Sequence, residues 1–164
     1  MSLLHEIFTV VLIGCGATLL MDIWLMFLKR QGVQTLNFAF IGRWVGHLCR
    51  GRVAHAAIGK ASPVRHELLL GWLTHYAVGV AFAGLLVGMA GGDWLAAPSL
   101  LPAVALGVGT VAFPLFVMQP AMGLGVAASR TPSPLKNCLR SVVNHAVFGL
   151  GLFLSATLIA WVGR

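Results

Sequence analysis

Four long apolar stretches, separated by segments rich in charged and polar residues, set the pattern of this chain. They are Ile7–Leu28, Leu68–Ala90, Leu100–Ala128 and Leu139–Val162. A helix needs about 20 mainly apolar residues to cross a bilayer. The pattern therefore predicts an all-α fold, in which a bundle of four transmembrane helices occupies residues 1–164 as a single integral membrane domain. The third stretch contains Pro102, Pro114 and Pro120, which predict a kink or a break there.

The segment between the first two spans, residues 29–67, carries a shorter amphipathic pattern. Phe38–Leu48 is apolar apart from Arg43 and His47, which lie four residues apart and so share one helical face. This stretch is too short to cross the membrane, so it predicts an interfacial or re-entrant helix. Cys49–His66 adds basic residues and two further histidines. A cover for lipid headgroups is favoured for it over a catalytic flap.

Composition supports a membrane protein. Hydrophobic residues make up 59% of the 164 residues and charged residues only 9%, against about 25% charged in soluble domains. This excludes a disordered chain as well. A net charge of +7 indicates contact with anionic lipid rather than nucleic acid, because the hydrophobic spans interrupt the basic residues. The three cysteines show no spacing typical of a disulfide framework or a zinc finger.

The basic residues also predict the orientation. Seven of the eleven lie in residues 29–67, and three more lie either just before the fourth span or in its first turn. The connection between the second and third spans has no basic residue. The positive-inside rule makes that side cytoplasmic, so both termini face the opposite side. The first span is interpreted as an uncleaved helix, because His5 and Glu6 precede it where a signal peptide has basic residues.

Each predicted span carries one polar residue at a similar depth. These residues are Asp22, His75, Gln119 and His145, about 9–14 Å from the cytoplasmic boundary by helical rise. Ionisable groups within spans normally face the bundle interior and pair with another group. We expect Asp22 to pair with His75, with His145 or with an arginine of residues 29–67.

Small residues flank the two histidines of the predicted spans and leave room beside the imidazoles. Gly71 and Gly79 lie one turn either side of His75, and Gly149 follows His145 by one turn. This favours a site near the cytoplasmic side that binds a transition metal ion or haem through Asp22, His75 and His145, with Gln119 nearby. Ligands from the loop could be His47, His55 and Glu67, and residues that contact anionic groups could be Arg43, Arg50, Arg52 and Arg140.

Two other classes of function stay open. The polar layer could hold helices together in a structural or assembly subunit, and the small-residue faces could make a homo-oligomer. Alternatively, Asp22 and the histidines could relay protons in a small oligomeric transporter of protons, ions or solutes. The chain has no phosphate-binding loop and no nucleophile elbow, and its pattern leaves an enzymatic activity undecided.

Several strings, in order along nearly the whole chain, resemble a known family. They are Gly-Ala-Thr-Leu-Leu-Met-Asp at 16–22, Gly-Arg-Trp-Val-Gly-His at 42–47, Gly-Trp-Leu-Thr-His-Tyr at 71–76, Met-Gln-Pro-Ala-Met-Gly-Leu-Gly at 118–125 and Asn-His-Ala-Val-Phe-Gly-Leu-Gly at 144–151. The family is the domain of unknown function 2938, which comprises small multi-pass bacterial proteins. The resemblance implies an inner-membrane location, and it implies no activity and no catalytic positions.

Overall fold

The computed structural model describes residues 3–163, and every regular element in that range is helical. The long helices are α1 (Leu3–Arg30), α2 (Phe38–Leu48), α3 (Glu67–Ala90), α5 (Leu100–Gly109) and α7 (Pro134–Val162). Shorter elements are α4 (Asp93–Ala96), α6 (Gln119–Ala121), a π-helical turn at Pro114–Met118 and two 3₁₀ turns at Ile58–Lys60 and Val126–Ala128. The all-α fold predicted from the sequence is confirmed.

Four helical segments are long and apolar enough to cross a membrane, which indicates an integral membrane protein. They are Leu3–Arg30, Glu67–Ala90, Leu100–Ala121 and Pro134–Val162. Four spans were predicted, and the bounds of the second differ from the prediction by one residue. The third helical segment ends at Ala121, seven residues before the predicted end of the span at Ala128. The helix ends at Ala121 because Gly123 and Gly125 adopt positive φ angles of 91° and 77°, outside the right-handed helical region.

The third span is broken, as its prolines predicted. Thr110 ends α5, and a π-helical turn follows at Pro114–Met118. Pro120 has no N–H to donate to the carbonyl four residues earlier, and the N–H of Gln119 bonds the Pro114 carbonyl, five residues back. The break therefore sets the position from which the Gln119 side chain leaves the helix.

The predicted short helix before the second span is present as α2. Its N-terminus is capped by Asn37, whose side-chain oxygen accepts a hydrogen bond from the Ala39 N–H at 3.0 Å. Arg43 and His47 lie on its buried face beside Ile41 and Trp44. Its predicted location at the membrane interface stays a prediction.

Two compact units make up the chain. Unit 1 contains Met1–Gln34, Tyr76–Thr110 and Val143–Arg164, and unit 2 contains Thr35–His75 and Val111–Val142. The core of unit 1 includes Ile13, Ala17, Leu86, Phe148 and Leu152. A smaller core in unit 2 is formed by Ile41, Trp44, Ile58, Ala121 and Met122.

Candidate functional site

The predicted polar residues of unit 1 are paired with neighbours in that unit. Asp22 is buried, and its Oδ2 accepts a hydrogen bond from the Tyr76 hydroxyl at 2.9 Å. His145 Nδ1 lies 2.8 Å from Thr110 Oγ1, which donates to the Gly107 carbonyl. Because the Thr110 hydroxyl already donates its proton to Gly107, the Nδ1–H group of His145 is the donor in its contact with Thr110. The sequence did not identify Tyr76 as a partner of Asp22.

The two other residues of the predicted layer, His75 and Gln119, belong to unit 2. The His75 ring packs against the rings of Phe38 and Trp72, at centroid distances of 4.7 and 6.0 Å. Gln119 is 9% exposed, and its Oε1 has no hydrogen-bond partner within residues 3–163. Over the same residues, no three His, Cys, Asp or Glu side chains come together as a group that could hold a metal ion.

A partly buried ion pair fixes α2 to the start of α3. Arg43 donates from Nη2 to Glu67 Oε1 at 2.7 Å and from Nε to Oε2 at 2.9 Å, so the contact is bidentate. Its Nη1 donates to the carbonyls of Ile58, Gly59 and Ala61 at 3.2–3.3 Å. The hydrogen bonds to Glu67 raise the pKa of Arg43, against the opposing effect of burial.

Two glycines let α2 approach α3 at the level of this ion pair. A Cβ at Gly42 would overlap the carbonyl of Glu67, and a Cβ at Gly71 would overlap the carbonyl of Phe38. The two glycines face each other, since that added Cβ at Gly42 would also lie 2.6 Å from the Gly71 nitrogen. Their lack of side chains holds Arg43 within reach of Glu67.

Next to the ion pair, two buried histidines form a hydrogen-bonded pair. His47 Nδ1 lies 2.7 Å from His55 Nε2, and His47 Nε2 lies 3.0 Å from the Ser62 carbonyl. The residues are 7% and 5% exposed, respectively. His55 Nδ1 has no hydrogen-bond partner within the part of the chain that the structure describes. Burial lowers the pKa of His55, and the positive charge of Arg52 acts in the same direction, whereas the hydrogen bond to the Ala121 backbone acts against it.

The end of the third span positions His55. The His55 N–H donates to the Ala121 carbonyl at 2.8 Å, and the Ile58 N–H donates to the Met122 carbonyl at 3.0 Å. Gly123 follows with its positive φ and passes so close to the Ala56 carbonyl that a side chain would overlap it. Residues 55–58 are thus fixed by the segment that begins at Gln119.

A comparison with known families decides the affiliation of the chain. The model of a family described as protein of unknown function (DUF2938) matches residues 11–159. The chain belongs to the DUF2938 family. No curated protein and no solved structure matches the chain. Membership confirms the resemblance seen in the sequence, and the family description assigns no activity.

In this DUF2938 protein, the candidate residues fall into two groups. Four residues predicted as loop candidates or anion contacts lie in unit 2, together with Gln119: Arg43, His47, His55 and Glu67. We call these five residues the α2 site. Asp22 and His145 belong to unit 1, where the structure gives them the partners described above. Arg50 and Arg52 are exposed on the segment after α2, and Arg140 is half-buried in α7.

Proposed function

We propose that this DUF2938 protein is a bacterial inner-membrane protein that binds a small ligand at the α2 site, on the cytoplasmic side. The observation that carries the proposal is that two buried polar atoms, His55 Nδ1 and Gln119 Oε1, have no hydrogen-bond partner within residues 3–163. A buried polar atom without a partner costs about 1–3 kcal/mol. Such atoms are rare in folded proteins and indicate groups that serve a function.

The contrast with unit 1 supports this assignment. Asp22 and His145 have hydrogen-bond partners, and Trp24 Nε1 donates to Asn144 Oδ1 at 3.0 Å. Paired polar groups of this kind hold membrane helices together. Helix packing is therefore the function that fits the polar residues of unit 1 best. A ligand site is the function that fits the polar residues of unit 2 best.

Native mass spectrometry of protein extracted in a mild detergent tests the proposal. We expect a bound small molecule on the wild-type chain, and we expect it to be lost in His55→Phe. His5→Gln is the matched control, since His5 is exposed on α1, and it should keep the bound molecule. Equal occupancy in all three samples would contradict the proposal.

A metal ion or haem held by Asp22, His75 and His145 stays a prediction. The same samples test it through elemental analysis and an optical spectrum. Roughly one iron, zinc or manganese per chain, lost in His75→Ala and in His145→Ala but kept in His5→Ala, would support this site. Equal metal content in all variants would exclude it.

The broken third span favours a transporter as the second candidate. Discontinuous membrane helices line the substrate sites of many transporters, and the break here leads directly into Gln119. Four spans are few for a transport path, so this function requires a homo-oligomer. Proton or ion flux in liposomes, lost on Asp22→Asn, would support it.

Anionic lipid is the partner that the exposed basic residues favour. Arg50 and Arg52 are exposed beside the α2 site, and each basic residue near an anionic surface contributes about 1 kcal/mol. Phosphatidylglycerol should therefore raise the melting temperature of delipidated protein more than phosphatidylcholine does. The difference should shrink in the Arg50→Gln, Arg52→Gln double variant.

A further inference from the structure

Two hydrogen bonds of the buried His47–His55 pair place two protons on its four ring nitrogens. The Ser62 carbonyl only accepts, so His47 Nε2 carries a proton and donates to it. The second proton lies in the 2.7 Å contact between His47 Nδ1 and His55 Nε2, because two lone pairs or two N–H groups would repel each other there. His55 Nδ1 is buried and has no hydrogen-bond partner within residues 3–163. With these two protons, both rings are neutral.

A third proton can only go to His55 Nδ1 as long as both hydrogen bonds persist, whichever ring holds the shared proton. It gives the pair a positive charge and makes His55 Nδ1 a buried donor, with no hydrogen-bond partner among the residues that the structure describes. A buried donor without a partner is costly, and more so when it is charged. The folded protein therefore resists protonation of the pair, and the lowered pKa of His55 is consistent with this.

The charged groups around the pair do not offset this cost. At the start of α3, both oxygens of Glu67 accept hydrogen bonds from Arg43, whose charge neutralises the carboxylate. After α2, the positive charge of Arg52 acts against protonation of His55. The hydrogen bond to the Ala121 backbone favours the charged ring, and burial outweighs it. Over the described part of the chain, no third His, Cys, Asp or Glu joins the two histidines as a group that could hold a metal ion. Acid therefore acts on the two rings themselves.

His55 is also the anchor of the stretch in which it lies. The two residues after it are alanines, which carry only methyl groups. The His55 ring binds His47 of α2, and the His55 N–H donates at 2.8 Å to the Ala121 carbonyl at the end of the third span. Arg43 binds carbonyls further along the chain, from Ile58 onwards. Loss of the ring contact thus removes the side chain that ties this stretch to α2.

We infer that the His47–His55 pair is a pH-sensitive latch, which holds residues 55–57 against the end of the third span when both rings are neutral and releases them when the pair takes up a proton. Protonation of histidine clusters opens contacts in other proteins between about pH 5 and pH 6. Release frees the Ala121 carbonyl, two residues after Gln119 of the α2 site. The inference goes beyond the proposed function and does not depend on it, since no ligand takes part.

Hydrogen exchange of the His55 amide, resolved by electron-transfer fragmentation, tests the latch in full-length protein in a mild detergent. It is measured at pH 7.5 and pH 5.5, with labelling times scaled to the intrinsic exchange rate at each pH. We expect the protection factor to fall about tenfold at pH 5.5 for each histidine of the pair that takes up a proton, because this pH lies one unit below the usual histidine pKa of about 6.5. At both pH values, the His55 amide should be less protected than the amides of α3, as a local opening requires.

The variant His55→Gln removes the titration and keeps the contact, since an amide can either donate to His47 Nδ1 or accept from it. The amide of residue 55 should then be equally protected at both pH values. His66→Gln is the matched control, because His66 is an exposed histidine of the same unit. This control should lose protection at pH 5.5 as the wild type does.

Protection of the His55 amide that does not change with pH in the wild type would overturn the inference, as would an equal loss in His55→Gln. Protection equal to that of α3 at both pH values would overturn it as well, because residues 55–57 would then open only with the whole protein. If His55→Gln is already unprotected at pH 7.5, the 15N shifts of histidine-labelled wild type decide. A neutral Nε2–H ring that becomes an imidazolium as protection is lost supports the latch, and loss of protection without this change contradicts it.

Discussion

Arg43 makes five hydrogen bonds from one side chain, two to Glu67 and three to backbone carbonyls. Lysine could not replace it, because an ammonium group lacks the planar fork that fits a carboxylate with two parallel bonds. The three carbonyls belong to residues 58–61, which follow directly after the segment that holds His55. Arg43 is thus a positioning residue for that segment.

We expect removal of either partner of the ion pair to be more harmful than removal of both. Arg43→Met and Glu67→Met should each lower the free energy of unfolding by about 3 kcal/mol, since each leaves a charge with little solvent contact. The double variant should lose less than the sum of the two. Unfolding in mixed micelles of mild detergent and SDS measures the coupling, and strictly additive losses would show that the pair contributes nothing as a pair.

His55 should make stability depend on pH. Its pKa in the folded protein is lower than in the unfolded chain, so the unfolded state binds the proton more tightly. The free energy of unfolding should therefore fall as the pH drops below about 6.5. For one proton, the slope is at most about 1.4 kcal/mol per pH unit. His55→Gln should reduce this slope between pH 7 and pH 5, whereas an unchanged slope would assign it to other groups.

At the scale of elements, the crossing of α2 and α3 depends on Gly42 and Gly71. Gly42→Ala should lower the free energy of unfolding by about 3 kcal/mol, because the new methyl group meets backbone atoms that have no alternative rotamer. Gly88→Ala is the control in α3, where no atom lies within 4 Å of the added carbon. That substitution should be neutral or stabilise by up to about 1 kcal/mol. Equal effects at both positions would contradict the close crossing.

The sequence predicted those elements whose signal is local. Four apolar runs of membrane length predicted the spans, and α2 followed from its periodicity over Phe38–Leu48. The end of the third helical segment at Ala121 was not predicted, because Met122–Ala128 is as apolar as the span that precedes it. What ends the helix is the backbone conformation at Gly123 and Gly125 together with hydrogen bonds to residues 55–58. Such long-range pairing leaves no periodic signal in the sequence.

The same reason limits what could be predicted of the site. His47 and His55 were recognised as loop candidates, but the carbonyl of Ser62 that orients them has no side-chain signature. Asp22 was recognised as a buried carboxylate that needs a partner, and the hydroxyl that meets it belongs to Tyr76, 54 positions away. Composition and depth identify which polar groups are unusual in a membrane span. Only tertiary contacts decide which of them are satisfied.

At the scale of the whole molecule, the orientation can be tested with a native cysteine. Cys49 is exposed, whereas Cys15 and Cys138 are half-buried. If residues 29–67 are cytoplasmic, a membrane-impermeant maleimide should label Cys49 in inside-out vesicles and not in intact spheroplasts. Cys49→Ser should lose most of that labelling. Labelling in spheroplasts would reverse the predicted orientation.

Unit 2 is assembled from two stretches of chain that are far apart in sequence. Its first stretch ends at His75, and its second begins at Val111. The N–H groups of His55 and Ile58 bond the carbonyls of Ala121 and Met122. During synthesis, these bonds can therefore form only after the second and third spans have left the ribosome. A nascent chain that has reached only Ala90 lacks the carbonyls that fix residues 55–58 in the folded protein. Maturation of the α2 site is thus tied to insertion of the third span.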